Sequence, residues 1–399
     1  MRLVHLSDLH LGYRQYQRLT PGGVNQREAD VAATFRASID RVITLAPDLV
    51  VVAGDVFHTV RPTNQAILHA FMQLSRLVHS LPATEVVLVA GNHDTPRSTE
   101  SGGILQLFSQ LGLHVVDREA RRLSFPKLEL SVLGVPDVHG VVRPSLTPDP
   151  TARFNVMVLH GEVQGMLPVR MATVDRAALE ISNEELGASR WDYVALGHYH
   201  VYREIAPNAF YCGSIDYTSA NTWGELYEEQ VAELPGKGFI ERELISGAHT
   251  FHHLPAARAL VDLPPVSARG LSVAEVDERI HSAVDSCEGG IDDKIVRLLV
   301  RDVSRHLPRE LDHKVIRDYK RRALNFHLDF RALETMRLHT AGAPGRRPSL
   351  SELVRENLLA RPLDPDIDRA VLVDRALAYL DQAQAVDVAP SAMLDARCG

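Results

Sequence analysis

Residues 85–94 read EVVLVAGNHD, an apolar run rich in valine that stops at Gly91 and turns polar at Asn92, His93 and Asp94. A short run of this kind, rich in β-branched residues, reads as a buried strand. The glycine at its end lets the backbone leave sharply, so the three polar side chains fall on the loop that exits the strand. The same layout recurs. Apolar runs at 1–6, 48–53, 129–135, 154–159 and 192–196 read as further strands, and four of them end on Asp8 and His10, on Gly54-Asp55, on His160-Gly161 and on Gly197-His198-Tyr199-His200. Between the first three strands, at 27–45 and 63–79, apolar residues recur every three or four positions, which predicts helices. Strand, helix and strand in alternation predict an α/β protein whose sheet is at least partly parallel and covered by helices on both faces. Ligands gather on the loops leaving such strands.

Five strand ends therefore bring metal-competent side chains together. A carboxylate has two oxygens and can bridge two cations, whereas imidazole and a neutral amide oxygen fill coordination positions without adding negative charge. Asp8, His10, Asp55, Asn92, His160, His198 and His200 suit a dinuclear site. In it Asp55 bridges, Asp8, His10 and His200 complete one metal, and Asn92, His160 and His198 complete the other. Two divalent cations against two carboxylates leave a positive centre, matched to a phosphodiester monoanion, and a pair of metals can polarise phosphoryl oxygens and lower the pKa of water. Carboxylate, amide and imidazole donors without thiolate fit manganese, with iron or zinc also admissible. His93, next to Asn92, and His58, three residues after Asp55, can reach the substrate phosphate, to stabilise developing charge or protonate the leaving oxygen. Asp94 is placed to orient His93 or a neighbouring ligand from behind. A lone Asp-x-His or Gly-His-x-His is usually incidental, but five motifs in this order after five strands are not. His5 inside the first strand, His69 and His79 on a helix, and His252 and His253 beyond the sheet read as core or surface residues.

Those five motifs are the signature of the calcineurin-like phosphoesterases, which the first 200 or so residues resemble. Asp8-Leu-His10-Leu-Gly12-Tyr13, Gly54-Asp55-Val56-Phe57-His58, Phe210-Tyr211-Cys212-Gly213-Ser214-Ile215 and Gly236-Lys237-Gly238-Phe239 narrow it. They are similar to SbcD and its relatives in the meiotic recombination nuclease family, although Cys212 stands where that family commonly has proline. The resemblance implies a β-sandwich flanked by helices, a small α/β capping domain that helps hold DNA, and a manganese-dependent exonuclease and endonuclease acting on DNA ends in repair. It also implies that His93 acts on the transition state or leaving group while His58 positions His93 or the phosphate. A homodimer formed through helices of the phosphoesterase domain and an SbcC-type coiled-coil ATPase are the implied partners. The alternatives are a small-molecule phosphodiesterase or phosphatase on the same fold, and a non-catalytic subunit whose metal site holds DNA or assembles the ATPase.

At 399 residues the chain exceeds what one core usually supports, so two domains and a small third unit are expected. We place the phosphoesterase domain at 1–245 and the capping domain at 246–335, the latter with strands at 258–263, 294–303 and 323–330 and helices at 273–287 and 309–321. A linker follows at 336–348, and a helical pair at 349–385 is the expected ATPase-docking element. Hydrophobic residues at 45% and charged ones at 24% are ordinary for a globular protein. The N-terminus lacks the apolar core of a signal peptide, no run is long enough to span a membrane, and Cys212, Cys287 and Cys398 are too far apart for a metal knuckle. A reduced cytoplasmic setting is expected. The net charge of −8 is unusual for a nucleic-acid enzyme, so bound metals and local basic patches must compensate. Residues 301–347 hold twelve Lys or Arg against six Asp or Glu, and Lys320, Arg321 and Arg322 within them are the candidate DNA contacts.

Overall fold

The structure, a computed structural model, describes residues 1–96, 103–140, 145–165, 177–332, 350–360 and 368–387. Strands β1 (Arg2–Leu6), β2 (Leu49–Ala53), β3 (Glu85–Val89) and β4 (His114–Val116) pair in parallel, each with the next. Helices α1 (Gln26–Leu45) and α2 (Asn64–Ser80) make the first two crossovers. The Asn25 side chain accepts from the Arg27 N–H, and the Thr63 hydroxyl from the Ala66 N–H, so each helix starts on a side chain that satisfies an otherwise orphan donor. The strands advance in one direction from β1 to β3, and right-handed crossovers then put both helices on one face. Yet all five residues of β2 are buried, so the opposite face is covered too.

That cover is a second sheet, and the expectation of helices on both faces is corrected here. It contains β5 (Arg121–Phe125), β6 (Leu130–Val135) and β7 (Phe154–His160), followed, after the short ribbon β8 (Glu162–Val163) and β9 (Glu180–Ile181) and the single turn α3 (Asn183–Leu186), by β10 (Tyr193–Gly197), β11 (Arg203–Ala206) and β12 (Ala209–Tyr211). The strand order is β11-β12-β10-β7-β6-β5, with β6, β7, β10 and β12 parallel. Alternation along these strands sorts the side chains. Val132, Val156, Val158, Tyr193, Ala195 and Phe210 join the core shared with β1–β3 and the two helices, while Leu133, Met157, Leu159, Val194, Leu196 and Tyr211 pack outward around Trp191 and Leu186.

After α4 (Thr222–Val231), strands β13 (Gly238–Glu243) and β14 (His249–His253) return to the first sheet, β13 antiparallel to β1 and β14 antiparallel to β13, in the order β14-β13-β1-β2-β3-β4. The first sheet thus continues past residue 245, and His252 and His253 lie within it rather than beyond it. A third sheet follows, β15 (Leu260–Ser267), β16 (Ile295–Val303) and β17 (Asn325–Ala332), all parallel. Its crossovers are α5 (Val273–Asp285) and the pair α6 (Leu307–Glu310) and α7 (His313–Arg322), and it has its own core around Val276, Ile280, Leu298, Val300, Ile316 and Phe326. The single helix expected at 309–321 is split because the Asp312 carboxylate caps Lys314 and Val315 and starts a new helix there.

This α/β unit is tied to the sandwich by ionic and polar contacts. Arg258 places Nε and Nη2 on the Asp30 carboxylate at 2.8 and 3.1 Å, Arg18 donates to the Arg321 and Ala323 carbonyls at 2.8 Å each, and the Arg297 guanidinium lies 4.8 Å from the Trp223 ring centre. Residues 334 onward form a separate unit with α8 (Leu350–Ala360) and α9 (Arg369–Asp387), in which Arg369 donates to the Leu358 and Leu359 carbonyls at 2.9 and 2.7 Å and closes the exit of α8. The linker expected at 336–348, residues 361–365 and Cys398 lie outside the described residues. No helix among the described residues is long and apolar enough to cross a membrane.

Candidate metal centre

The carboxyl ends of β1, β2 and β3 in one sheet and of β7 and β10 in the other meet at one end of the sandwich. The exit loops interlock. Asp8 N–H donates to the Gly54 carbonyl at 3.0 Å, His10 N–H to Asp55 at 2.9 Å and Leu11 N–H to Val56 at 2.9 Å. To make these turns Asp8, His10, Asp55 and His198 adopt φ of 51°, 44°, 52° and 101°, a region L-residues avoid and which recurs at functional sites. All four are among the seven ligands expected from sequence.

Within this knot the side chains converge. His160 Nε2 lies 3.0 Å from Asn92 Oδ1 and 3.4 Å from Asp55 Oδ2, and His10 Nε2 lies 3.7 Å from the same Asp55 oxygen. His200 Nε2 is 3.0 Å from His10 Nε2 and 3.9 Å from Asp8 Oδ1. Asp8, His10 and His200 make one group whose donor atoms lie within 4.8 Å of one another, and Asp8, Asp55 and His160 make another. The His198 backbone N–H donates to both Asp8 oxygens at 3.1 and 3.2 Å, while its Nε2 is 3.2 Å from Glu162 Oε1.

The residues fit divalent cations. Imidazole nitrogens of His10 and His200 point at one another, so that in place of one shared proton both lone pairs can be turned toward a cation. His160 Nδ1 sits 2.8 Å from the Ala53 carbonyl, which can only accept, so Nδ1 carries a proton and Nε2, on the Asp55 side, is the nitrogen that can exchange its proton for a cation. Burial drives the His160 pKa down, but the Asp55 carboxylate more than reverses this and pushes it up to about 10. Burial likewise raises Asp55, yet His160 and His10 hold it well below the ordinary carboxylate range. At His160 the local field favours positive charge even in full burial, and a divalent cation satisfies that field as well.

His93 and His58 stand at the rim, their rings stacked at 5.3 Å, with His93 4.8 Å and His58 5.3 Å from the His10 ring. His93 Nδ1 donates to the His58 carbonyl at 2.7 Å, and the His93 N–H donates to Asp55 Oδ1 at 2.9 Å. The Asp94 carboxylate accepts the N–H groups of Val56, Phe57 and Gly91 at 3.1, 2.9 and 3.1 Å and so pins the Asp55 loop to the Asn92 loop. Burial and the charge of Asp55 raise the Asp94 pKa to about 7. Lys320, Arg321 and Arg322 lie at the end of α7, with Arg321 paired to Asp318, Arg322 to Asp292 at 2.9 Å and Lys320 exposed.

Sequence reasoning passed over four acidic residues and a lysine that support the centre. Glu162 faces His198, Asp137 accepts the Ala178 and Leu179 N–H groups at 3.0 Å each, and Glu225 and Glu229 meet Lys237 behind His200. Only Lys237 carried a local signal, a charge between two glycines at the mouth of an apolar strand.

The family model described as calcineurin-like phosphoesterase matches residues 1–202. Among curated proteins, the chain is similar to the DNA double-strand break repair protein Mre11 of Methanopyrus kandleri, 29% identical over 217 residues that cover 50% of this chain and 45% of that protein. The protein of the same name from Sulfolobus acidocaldarius is 30% identical over 211 residues, 51% and 50% of the two chains. That from Methanosarcina acetivorans is 27% identical over 368 residues, 82% of this chain and 56% of its own. The chain spans about half the length of the curated relatives it matches.

Gly91 tests how tightly the centre is built, because a Cβ there would fall 2.0 Å from Asp55 Oδ1 while its backbone is otherwise unstrained. Gly91→Ala should cost about 1–3 kcal/mol of stability through overpacking and displace Asp55. Metal analysis after equilibration with manganese should find lowered occupancy; full occupancy would show that Asp55 is not held where the structure puts it.

Proposed function

The chain belongs to the calcineurin-like phosphoesterase family, and from that premise we propose that it is a manganese-dependent DNA nuclease, exonuclease and endonuclease, hydrolysing phosphodiester bonds at DNA ends in repair in the cytoplasm. The observation that carries the hydrolytic reading is the convergence of Asp8 and Asp55 with four imidazoles and the Asn92 amide in one knot of strand ends. The DNA substrate is supported by the relatives' names and by the α/β unit latched to the sandwich through Arg258 and Arg18.

In this reading Asp8, His10 and His200 would hold one cation and Asn92, His160 and His198 the other, with the Asp55 carboxylate shared between them. Two such cations, when bound, polarise the phosphoryl group and make water nucleophilic near neutral pH. The chain's own contribution is positional. The Ala53 carbonyl orients His160, the Asp94 carboxylate keeps the loops of Asp55 and Asn92 in register, and the His58 carbonyl orders the His93 ring. Nδ1 of His93 carries the proton given to that carbonyl, so Nε2 is the nitrogen we assign to the leaving oxygen, with His58 positioning it. Lys320, Arg321 and Arg322 are assigned to the DNA backbone. The helical pair α8–α9 is the proposed docking element for an SbcC-type coiled-coil ATPase, and α2, with Leu68 and Met72 one turn apart and both more than half exposed, is proposed to dimerise.

With manganese the purified protein should cut single-stranded or duplex DNA. Leaving both intact while hydrolysing a small phosphoester efficiently would overturn the DNA assignment. His93→Ala should lose about 10²–10⁴-fold in hydrolysis, the scale of a lost general acid, at unchanged metal content; undiminished cleavage would remove its role. Truncation at Gly345 should spare basal nuclease activity and abolish co-purification with a coiled-coil ATPase, and retained association would refute the docking assignment. Light scattering on Leu68→Glu/Met72→Glu should report a monomer where the parent protein is a dimer; an unchanged dimer places the interface elsewhere.

A further inference from the structure

His200 faces the centre through Nε2. Its other ring nitrogen, Nδ1, is buried and lies 3.3 Å from Glu225 Oε1, an ion-pair contact short of hydrogen-bond geometry, and neither atom has a hydrogen-bond partner among the described residues. The second Glu225 oxygen receives Lys237 Nζ at 2.6 Å. Lys237 also donates to the His200 backbone carbonyl at 2.8 Å and reaches Glu229 Oε1 at 3.1 Å, with its ammonium 4.5 Å from the Tyr217 ring centre. Tyr217 in turn donates its hydroxyl to Glu229 Oε2 at 2.5 Å. Glu225, Glu229 and Lys237 are all buried.

One ammonium against two carboxylates leaves an uncompensated negative charge in the interior, a costly arrangement unless a cation lies within reach. The nearest route to one runs through the His200 ring. A carboxylate can only accept, so a proton on Nδ1 completes the contact with Glu225, and the Nε2 lone pair is then directed toward His10 and Asp8. Lys237 holds both ends of this device. It fixes the carboxylate that faces the His200 ring and it grips the backbone carbonyl of His200 itself, so ring and main chain cannot drift apart.

We propose that Glu225, anchored by Lys237, is a positioning residue that sets the tautomer and orientation of His200 for the cation shared with Asp8 and His10. It rests on the reading that the centre binds two cations, but assigns a role to residues on α4 and at the entry of β13 that donate nothing to the metals directly.

The test is manganese titration of chelator-stripped protein, following free manganese by electron paramagnetic resonance. The parent chain should bind two ions. Glu225→Gln should retain one at parental affinity and bind the other about 10–100-fold more weakly, the usual effect of losing a residue that orients a ligand. Lys237→Met/Glu229→Gln, which removes one charge of each sign, should weaken the same ion because Glu225 loses its anchor. A folded Glu225→Gln protein that binds both ions at parental affinity overturns the proposal while leaving the two-cation reading intact; a parent chain that binds no manganese overturns both. If Glu225→Gln does not fold, histidine ¹⁵N shifts of the metal-free parent protein, taken at a pH where the His200 ring is neutral, decide the matter, with the His200 signal identified by its loss in His200→Gln. A proton on Nδ1 supports the proposal and a proton on Nε2 overturns it.

Discussion

The contact between His160 Nδ1 and the Ala53 carbonyl, 2.8 Å long, is where the two sheets of the sandwich touch most closely at the end that carries the chemistry. A Cβ on Gly54 would fall 2.0 Å from His160 Nδ1, and one on Gly197 would fall 1.8 Å from the Ala53 carbonyl oxygen. Glycine is required at both places because the strand ends approach to backbone contact. That approach brings ligands from separate sheets within coordination distance: Asp55 and Asn92 come from the first sheet, His160 and His198 from the second. Any side chain wedged between them would leave two half-sites, each too poor in donors to hold a cation.

The same closeness carries an energetic cost that the polypeptide alone does not offset. Four ligands sit at positive φ, an arrangement that costs on the order of 1–3 kcal/mol per residue, and the carboxylates of Asp8, Asp55, Asp94, Glu225 and Glu229 are buried within or around one end of the sandwich. Backbone amides answer part of this charge, as in the three N–H groups donated to Asp94 and the His198 N–H donated to Asp8. Imidazoles answer another part only by becoming cationic. A centre so arranged is stabilised by whatever positive charge it holds, which links folding to ion binding as strongly as to catalysis.

Much of this was legible from sequence because it is local. An apolar run followed by Gly-Asn-His-Asp or Gly-His-x-His states both the strand and what stands at its end; of the seven expected ligands, Asp8, His10, Asp55, His160 and His200 fall in two close groups of donor atoms, with Asn92 beside His160 and the His198 ring nitrogen at Glu162. What covers a buried strand is not local. β2 and β7 are apolar on both faces, and such a run looks the same under a helix and under a second sheet, so the sandwich was not readable from periodicity alone. β13 escaped because Gly238-Phe-Ile-Glu-Arg-Glu243 alternates apolar with charged residues near its end, Arg242 being buried over the rings of Tyr193 and Phe210. The cluster behind His200 draws Glu225 and Glu229 from a helix and Lys237 from a strand entry. No spacing rule connects them.

The negative net charge takes a different meaning against this arrangement. The basic run of residues 301–347 suggested a patch that would draw in phosphates, yet within Lys320-Arg321-Arg322 two of the three cations already face Asp318 and Asp292. Arg258 and Arg297 are engaged likewise, with Asp30 and with Asp262 and Trp223. The exposed pairs of Arg321 and Arg322 are weak, on the order of 0–1 kcal/mol, so a phosphate can displace the carboxylate partner there, whereas Arg258 meets a buried carboxylate; what all these pairs remove is long-range attraction at rest. Under the proposed nuclease reading, such a chain would not depend on a standing basic field to hold a polyanion. It would rely instead on short-range attraction at a positive, cation-bearing centre, supplemented by Arg321 and Arg322 as they exchange one anionic partner for another once a phosphate backbone is within reach.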